Sequence, residues 1–184
     1  MDILALIIAC SPVISPSLMG GIVAVESQGQ PWAIYRHDTG ASIHPTSEAD
    51  AIETARRLLA QKVVIDAGLA QISSTVWEAL NLTVENAFSP CANLAAAEDL
   101  LLTWYTKDVG DLDAALSRFG TGGDPVAGIK SGYVGQVKEA AKAGPQGAAK
   151  GSGDQKATPV SRVDAPHTDS FVGVPDGFAN GTVN

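Results

Sequence analysis

The chain has 184 residues, a formal net charge of −8 and a hydrophobic fraction of 45%. This length suits one domain, since domains commonly hold roughly 100–200 residues, and the apolar content is sufficient for a core. An acidic chain without a basic stripe repels phosphate backbones, so nucleic acid is excluded as an expected partner.

The first apolar run is Ile3–Cys10, and it follows the acidic residue Asp2. Secretory signals usually begin with basic residues, and a bilayer span needs about 20 apolar residues, so the run is neither a clear signal nor a membrane span. Ile8-Ala9-Cys10 faintly resembles a lipoprotein cleavage box. The preferred interpretation is a buried first helix of the domain.

Two helices with clear boundaries follow. Ser15-Pro16 is typical of a helix start, with Ser as N-cap and Pro in the first turn. An apolar stripe at helical spacing continues to an expected end near Ser27-Gln28-Gly29, where Gly suits a C-terminal cap. A capping-box pattern at Ser47–Asp50 predicts a second helix that runs to about Gln61.

Three more helices are predicted at Ala92–Lys107, Asp111–Phe119 and Gly132–Ala143. In the first of these, Trp104 and Tyr105 are expected to face inward. Trp32–Tyr35 and Val63–Asp66 have the composition of short strands. The predicted fold class is therefore mainly α (α+β), with a β element of two or three strands.

The composition changes after Ala143. Residues 144–184 are dense in Gly, Pro, Ser and Thr and hold few large apolar residues. Such a segment cannot bury enough surface to offset its ordering entropy, so a globular domain of residues 1–143 and a disordered tail are predicted. Within the tail, Phe171, Val172 and Phe178 form either a short docking motif or part of an inert extension.

Cys10 and Cys91 lack the C-x-x-C spacing of zinc and redox sites. They form either a disulfide or two small buried thiols of a cytosolic core. A disulfide would imply an oxidising compartment. Closing a loop of about 80 residues would contribute roughly 4–5 kcal/mol in the chain-entropy model. No cofactor or metal site is predicted, because the histidines are scattered and read as surface residues: His37, His44 and His167.

Glu26 is the first candidate for chemistry. It lies next to the expected helix end, beside the negative pole of the helix, and follows the apolar residues Ile22 and Val25. Both surroundings disfavour ionisation and are expected to raise the pKa of Glu26, as a general acid near neutral pH requires. The alternative is a solvent-exposed glutamate at a helix end.

Two later segments have features of a sugar-binding site. In Asp66–Ser73, Gly68 would let the backbone approach a ligand closely, and the amide of Gln71 can both donate to and accept from a sugar. In Ala115–Gly123 a helix runs into a Gly-rich loop with Phe119 at the junction, where an aromatic face could stack on a sugar ring. No strand precedes this loop, which argues against a nucleotide-binding glycine motif.

Four motifs in this order resemble those of the lysozyme-like lytic transglycosylases, namely Glu26-Ser27 before Pro31-Trp32-Ala33-Ile34, Gly68–Ser73, Ala115–Gly122 and Gly132-Tyr133-Val134. The resemblance covers about residues 5–140. A further pattern is similar to the branch attached to type IV secretion and conjugation systems: Cys10, Pro12, Pro16 and Asn86-x-x-x-Pro90-Cys91-x-Asn93-Leu94.

The resemblance implies a lysozyme-like fold with its β element beside a cleft. It also implies cleavage of the MurNAc–GlcNAc β-1,4 bond of peptidoglycan, with a 1,6-anhydro product and no water consumed. Glu26 matches the single catalytic carboxyl, and Asp66, the other nearby carboxyl, is expected to act structurally as a turn or cap acceptor. The implied substrate-binding positions are Ser27, Gly68, Leu69, Gln71, Ile72, Ser73, Phe119, Thr121 and Tyr133.

Four positions depart from the family pattern: Ala70 replaces Met, Ser73 replaces Asn, Phe119 replaces Tyr and Gly120 replaces Asn. The last two remove a hydroxyl and an amide, which predicts weaker polar contacts to the substrate. Two alternatives therefore stay open. One is a hydrolytic muramidase of the same fold, and the other is a non-catalytic glycan-binding scaffold protein.

Partners and location follow from the resemblance. The expected partners are peptidoglycan glycan strands and, through the C-terminal tail, components of a secretion system; a phage origin is an alternative setting. Because peptidoglycan lies outside the inner membrane, the resemblance implies an exported, periplasmic protein, although the N-terminus shows no clear export signal.

Overall fold

Seven α-helices form most of residues 1–144, the part of the chain that the computed structural model describes. The helices are α1 (Ile3–Cys10), α2 (Pro16–Glu26), α3 (Glu48–Ala60), α4 (Pro90–Lys107), α5 (Leu112–Thr121), α6 (Ala127–Lys130) and α7 (Tyr133–Ala143), with a 3-10 turn at Glu78–Leu80. The predicted mainly α fold is confirmed. The predicted disordered tail lies outside the described residues, and so do His167, Phe171, Val172 and Phe178.

The first apolar run is a helix of the domain, as the preferred interpretation has it. Asp2 caps α1 by accepting from the backbone N–H of Ala5, and Ile3, Ile7 and Cys10 are buried. No helix within residues 1–144 has both the length and the apolar character needed to cross a membrane.

The predicted caps of α2 and α3 are present. The Ser15 hydroxyl accepts from Leu18 N at the start of α2. At the start of α3, the Ser47 hydroxyl accepts from Asp50 N at 3.2 Å. The Asp50 carboxylate in turn accepts from Thr46 N at 3.0 Å. Both helices therefore begin where side chains satisfy their first N–H groups.

Helix α4 starts two residues before the predicted position, with Pro90 in its first turn. Trp104 is half-buried, but the expectation that Tyr105 faces inward is wrong, since Tyr105 is exposed. A Cβ built on Gly110 would lie 3.5 Å from the Tyr105 hydroxyl oxygen. The ring therefore covers the turn after the helix instead of entering the core.

Four short strands form an antiparallel sheet in the order β2-β1-β3-β4, one strand more than the largest predicted number. They are β1 (Ile34–Arg36), β2 (Ser42–Ile43), β3 (Ile65–Ala67) and β4 (Ile72–Ser73). In this register Ile34, Ala67 and Ile72 share the core face. Tyr35, Asp66 and Ser73 share the opposite face, because side chains alternate along a strand.

Helices α2 and α7 pack closely through a glycine. A Cβ on Gly21 would lie 2.6 Å from the Val137 carbonyl oxygen and 2.9 Å from Ala141 N, so only Gly allows this approach. The close contact brings the first residue of α7, Tyr133, beside the last residue of α2, Glu26.

Helix α4 also anchors the N-terminal helices. A disulfide joins Cys10 at the end of α1 to Cys91 in the first turn of α4, with 5.1 Å between their Cα atoms. About two turns further into α4, the buried carboxylate of Glu98 accepts from Val13 N at 2.9 Å and Ile14 N at 2.8 Å. These links fix the loop from which α2 starts.

Candidate active site

Glu26 and Tyr133 form the centre of the candidate site. Glu26 is half-buried at the end of α2, and its Oε1 accepts a 2.6 Å hydrogen bond from the Tyr133 hydroxyl. Burial, followed by the charge and hydrogen bond of Glu26, raises the pKa of Tyr133 well above its ordinary value of 10.0. Because a neutral phenol donates to Oε1, a proton on the Glu26 carboxyl belongs on the other oxygen, Oε2.

The ring of Tyr133 lies on the backbone of α5. A Cβ built on Gly120 would be 2.6 Å from ring atoms Cδ1 and Cζ of Tyr133. Tyr133 is 6% exposed and Phe119 is 9% exposed. Both rings therefore pack largely inside the protein, with the Tyr133 hydroxyl directed at Glu26, and stacking of Phe119 on a sugar ring stays a prediction.

The turn at Gly68–Ser73 is hydrogen-bonded to Ala33, the residue directly before strand β1. Gly68 N and Gln71 Nε2 both donate to the carbonyl oxygen of Ala33 at 3.0 Å. Gln71 Nε2 also donates to Gly68 O at 2.8 Å, and the backbone of Gln71 is left-handed, with a φ of 50°. Both amide N–H groups are thus used within the fold, and Oε1 is the atom through which Gln71 would meet a sugar.

Asn93 holds this turn from behind, a role that the sequence analysis missed. Its buried amide donates to Ala67 O and Ala87 O, each at 2.9 Å. Its Oδ1 accepts from Ala70 N at 2.8 Å. The available signal was an amide next to Leu94 on the inward stripe of a helix, because a buried amide requires hydrogen-bond partners.

Gly68 serves the protein itself. A Cβ at this position would lie 2.6 Å from Asn93 Cγ and 2.8 Å from Ala87 O, so the glycine is needed for the close approach of Asn93, and approach of a ligand to the Gly68 backbone stays a prediction. Contact of Leu69 and Ile72 with substrate stays a prediction. Both side chains are fully buried in the core, where they support the turn.

Three hydroxyl groups of the predicted site have local partners. Ser27 Oγ donates to Val23 O at 3.2 Å, within the last turn of α2. Ser73 Oγ lies 3.0 Å from the hydroxyl of Thr75. Thr121 Oγ1 donates to Ser117 O at 2.7 Å, at the end of α5. These bonds fix the ends of α2, β4 and α5, and contact of these residues with substrate stays a prediction.

The Gly-rich loop after α5 is held by Arg118. Its guanidinium Nε lies 2.9 Å from both carboxylate oxygens of Asp108. The same side chain donates through Nη1 to the carbonyl oxygen of Gly123. The guanidinium carbon also lies 5.4 Å from the ring centroid of Trp104, a cation–π distance. These contacts keep the loop close to the end of α4.

Asp66 has a side-chain partner in the turn that follows the neighbouring strand β1. Its buried Oδ1 lies 2.9 Å from Nε2 of His37, whose side chain is 40% exposed. The Tyr35 ring stands edge-on to His37, with centroids 5.5 Å apart. The structure thus pairs Asp66 with His37, and the expected role of Asp66 as a turn or cap acceptor stays a prediction. His44 is exposed, and residues 1–144 contain no group of three or more side chains that could hold a metal ion.

Comparisons with known proteins agree with this geometry. The model of the transglycosylase SLT domain family matches residues 4–134. Protein virB1 of Agrobacterium fabrum is 34% identical over 139 residues, which are 72% of this chain and 56% of that protein. The Rhizobium radiobacter protein of the same name is 32% identical over 140 residues, covering 72% and 58% of the two chains.

The type IV secretion system protein virB1 of Brucella abortus is 32% identical over 100 residues, which are 54% of this chain and 42% of that protein. The chain thus spans roughly half the length of these curated relatives, from 42% to 58%. No solved structure matches the chain significantly. Since the family model covers most of the chain, including Glu26 and Tyr133, the protein belongs to the transglycosylase SLT domain family.

Proposed function

We propose that this chain is a peptidoglycan lytic transglycosylase, which cleaves the MurNAc–GlcNAc β-1,4 bond and leaves a 1,6-anhydro-MurNAc end. One observation carries the proposal. A half-buried carboxyl, Glu26, stands at a helix end inside the family domain and accepts a hydrogen bond from the neutral hydroxyl of Tyr133.

The chemistry needs one carboxyl group of the protein. Glu26, protonated on Oε2, gives its proton to the glycosidic oxygen as the bond to C1 breaks, and the acetamido group of the muramic residue stabilises the developing positive charge. The Glu26 carboxylate then takes the proton of the C6 hydroxyl as O6 bonds to C1. No water is consumed, and the carboxyl regains its proton.

Tyr133 assists the reaction at the stage between the two proton transfers. Its hydrogen bond to Oε1 stabilises the carboxylate that forms when Glu26 has given up its proton, because a donor to the charged form favours that form. Most glycosidases add a second carboxylate as nucleophile or base. The pairing of buried Asp66 with His37 supports a mechanism in which the acetamido group of the substrate takes that role.

Substrate positioning is assigned to groups around Glu26. We propose that Gln71 accepts from a sugar through Oε1, and that Ser27, Gly68, Ser73 and Thr121 line the cleft through backbone groups or hydroxyls. Phe119 and Gly120 lack the polar atoms usual at these positions. Binding on that side of the cleft therefore depends on fewer hydrogen bonds.

We propose that the enzyme acts with a type IV secretion or conjugation apparatus, which it serves by opening the cell wall locally. The relative from Brucella abortus carries type IV secretion in its name. Action on peptidoglycan would require a periplasmic location. The disulfide between Cys10 and Cys91 supports this location, because disulfides persist in oxidising compartments.

Mass analysis of the muropeptides that the purified chain releases from sacculi tests the proposal. Wild type should release anhydro ends, and Glu26→Gln should release almost none. Glu78→Gln changes an exposed carboxyl on the 3-10 turn and should match wild type.

Other outcomes separate the alternatives. Ends heavier by one water would identify a hydrolytic muramidase. Binding of sacculi by wild type without release would identify a glycan-binding scaffold protein. Equal release by wild type and Glu26→Gln would remove the mechanism proposed for Glu26.

A further inference from the structure

Gly120 is the next-to-last residue of helix α5. Within a helix glycine is less favourable than alanine by up to about 1 kcal/mol, so its presence there needs a reason. The φ of Gly120 is not positive, so conformational freedom does not account for it. The reason is steric, because a Cβ there would lie 2.6 Å from Cδ1 of the Tyr133 ring. Carbon atoms in contact normally stand about 3.5–4.0 Å apart.

The Tyr133 ring has little room to retreat from such a Cβ. Tyr133 is buried, and Val137, one turn further along α7, is buried too. Helix α7 is itself pressed against α2 at Gly21. A methyl group at position 120 would therefore displace the ring by roughly 1 Å, enough to break a hydrogen bond of normal length.

We infer that Gly120 is a positioning residue of the active site. Because it has no side chain, the Tyr133 ring can lie within hydrogen-bond reach of Glu26. The inference rests on the proposed function, since it assigns Gly120 a part in that same reaction. It also gives a structural reason for Gly120, which replaces the Asn of the family pattern. Glycine at this position lacks the side-chain amide of Asn but leaves room for the Tyr133 ring to pack on the helix backbone.

Two alanine variants test the inference on the full chain. Gly120→Ala should lower the rate of muropeptide release at least about tenfold, because a displacement near 1 Å in an active site can cost about a hundredfold. Gly135→Ala is the matched control, since it lies in α7 and a Cβ there meets nothing within 4 Å. The release rate of Gly135→Ala should stay within about twofold of wild type, because surface substitutions that meet no neighbouring atoms usually have small effects.

A double-mutant cycle separates positioning from a general loss of structure. If Gly120 acts through the Tyr133 hydroxyl, adding Gly120→Ala to Tyr133→Phe should cause little further loss, whereas independent effects would multiply. The pH-rate profile gives a second readout. Both single variants weaken a bond that favours the Glu26 carboxylate, so both should move the alkaline limb of the profile to higher pH.

The outcomes are distinguishable from those for the proposed function. An inactive wild type would overturn the proposed function. An active wild type whose rate and pH profile are unchanged in Gly120→Ala would overturn this inference alone. If Gly120→Ala does not fold, it is combined with Tyr133→Leu, which removes the aromatic ring. Recovery of folding would support the contact between Gly120 and the Tyr133 ring, and continued failure to fold would overturn the inference.

Discussion

The amide of Asn93 lies against the backbone of Gly68 so closely that no side chain fits between them. Asn93 bonds to backbone groups on both sides of this glycine, at Ala67 O and Ala70 N. Helix α4 therefore holds the turn that carries Gln71. The rigidity of the predicted substrate-binding turn depends on a residue that lies behind the site.

Gly68→Ala should destabilise the protein more than Gly122→Ala does. Both glycines have a positive φ, 82° and 73°, so both substitutions carry a backbone strain of roughly 1 kcal/mol. Only at position 68 does the methyl group meet Asn93 and Ala87 O, which should add about 1–3 kcal/mol of overpacking. Urea unfolding measures both variants, and equal losses would contradict the assigned contact.

Asn93→Leu should be among the most destabilising substitutions in α4. It leaves Ala67 O, Ala87 O and Ala70 N without the amide that satisfies them. Each buried polar group left unpaired costs about 1–3 kcal/mol, so the expected loss in unfolding free energy is at least about 3 kcal/mol. Thr103→Ala, on the same helix, removes one bond to Asp99 O near the surface and should cost less than about 1 kcal/mol. A similar loss in the two variants would argue against this role for Asn93.

Helix positions were largely predictable because their signals are local. Ser15-Pro16 and Ser47–Asp50 predicted helix starts at the residues where the structure has them. Strands β2 and β4 were missed, since each has two residues and two residues cannot display an alternating pattern. The helix α6 was missed because its four residues make about one turn, too few to display helical periodicity.

At the centre of the candidate site, the sequence predicted the position of Glu26 but not its contact with Tyr133. The position of Glu26 at a helix end follows from the stripe and cap of α2. Its bond to Tyr133 joins residues 107 positions apart and depends on Gly21 and Gly120, whose steric roles exist only in the packed fold. The buried states of Leu69, Ile72 and Phe119 likewise come from tertiary packing, so a motif that names them could not tell supporting residues from contacting ones.

Reducing the disulfide should destabilise the protein strongly. The bond joins α1 to α4 across 81 positions of sequence. For a loop of that length the chain-entropy model gives roughly 4–5 kcal/mol, and engineered cases often deliver less. Thermal unfolding with and without dithiothreitol measures the effect. The double variant Cys10→Ala/Cys91→Ala is the control: its melting temperature should be low and should not respond to the reductant, because the chain has two cysteines. Equal melting temperatures for oxidised and reduced wild type would show that the bond adds no stability.

Tyr133 should make the stability of the protein fall at alkaline pH. Folding raises the pKa of Tyr133, so the folded state holds the phenolic proton more tightly than the unfolded chain does. This contribution is fully present below the unfolded pKa of about 10 and is lost as pH rises through the higher folded value. Urea unfolding at a series of pH values above 9 or so should therefore show a steeper decline for wild type than for Tyr133→Phe. Tyr105→Phe removes an exposed phenol and should decline as wild type does. Parallel curves for wild type and Tyr133→Phe would mean that the hydroxyl group is not buried against Glu26.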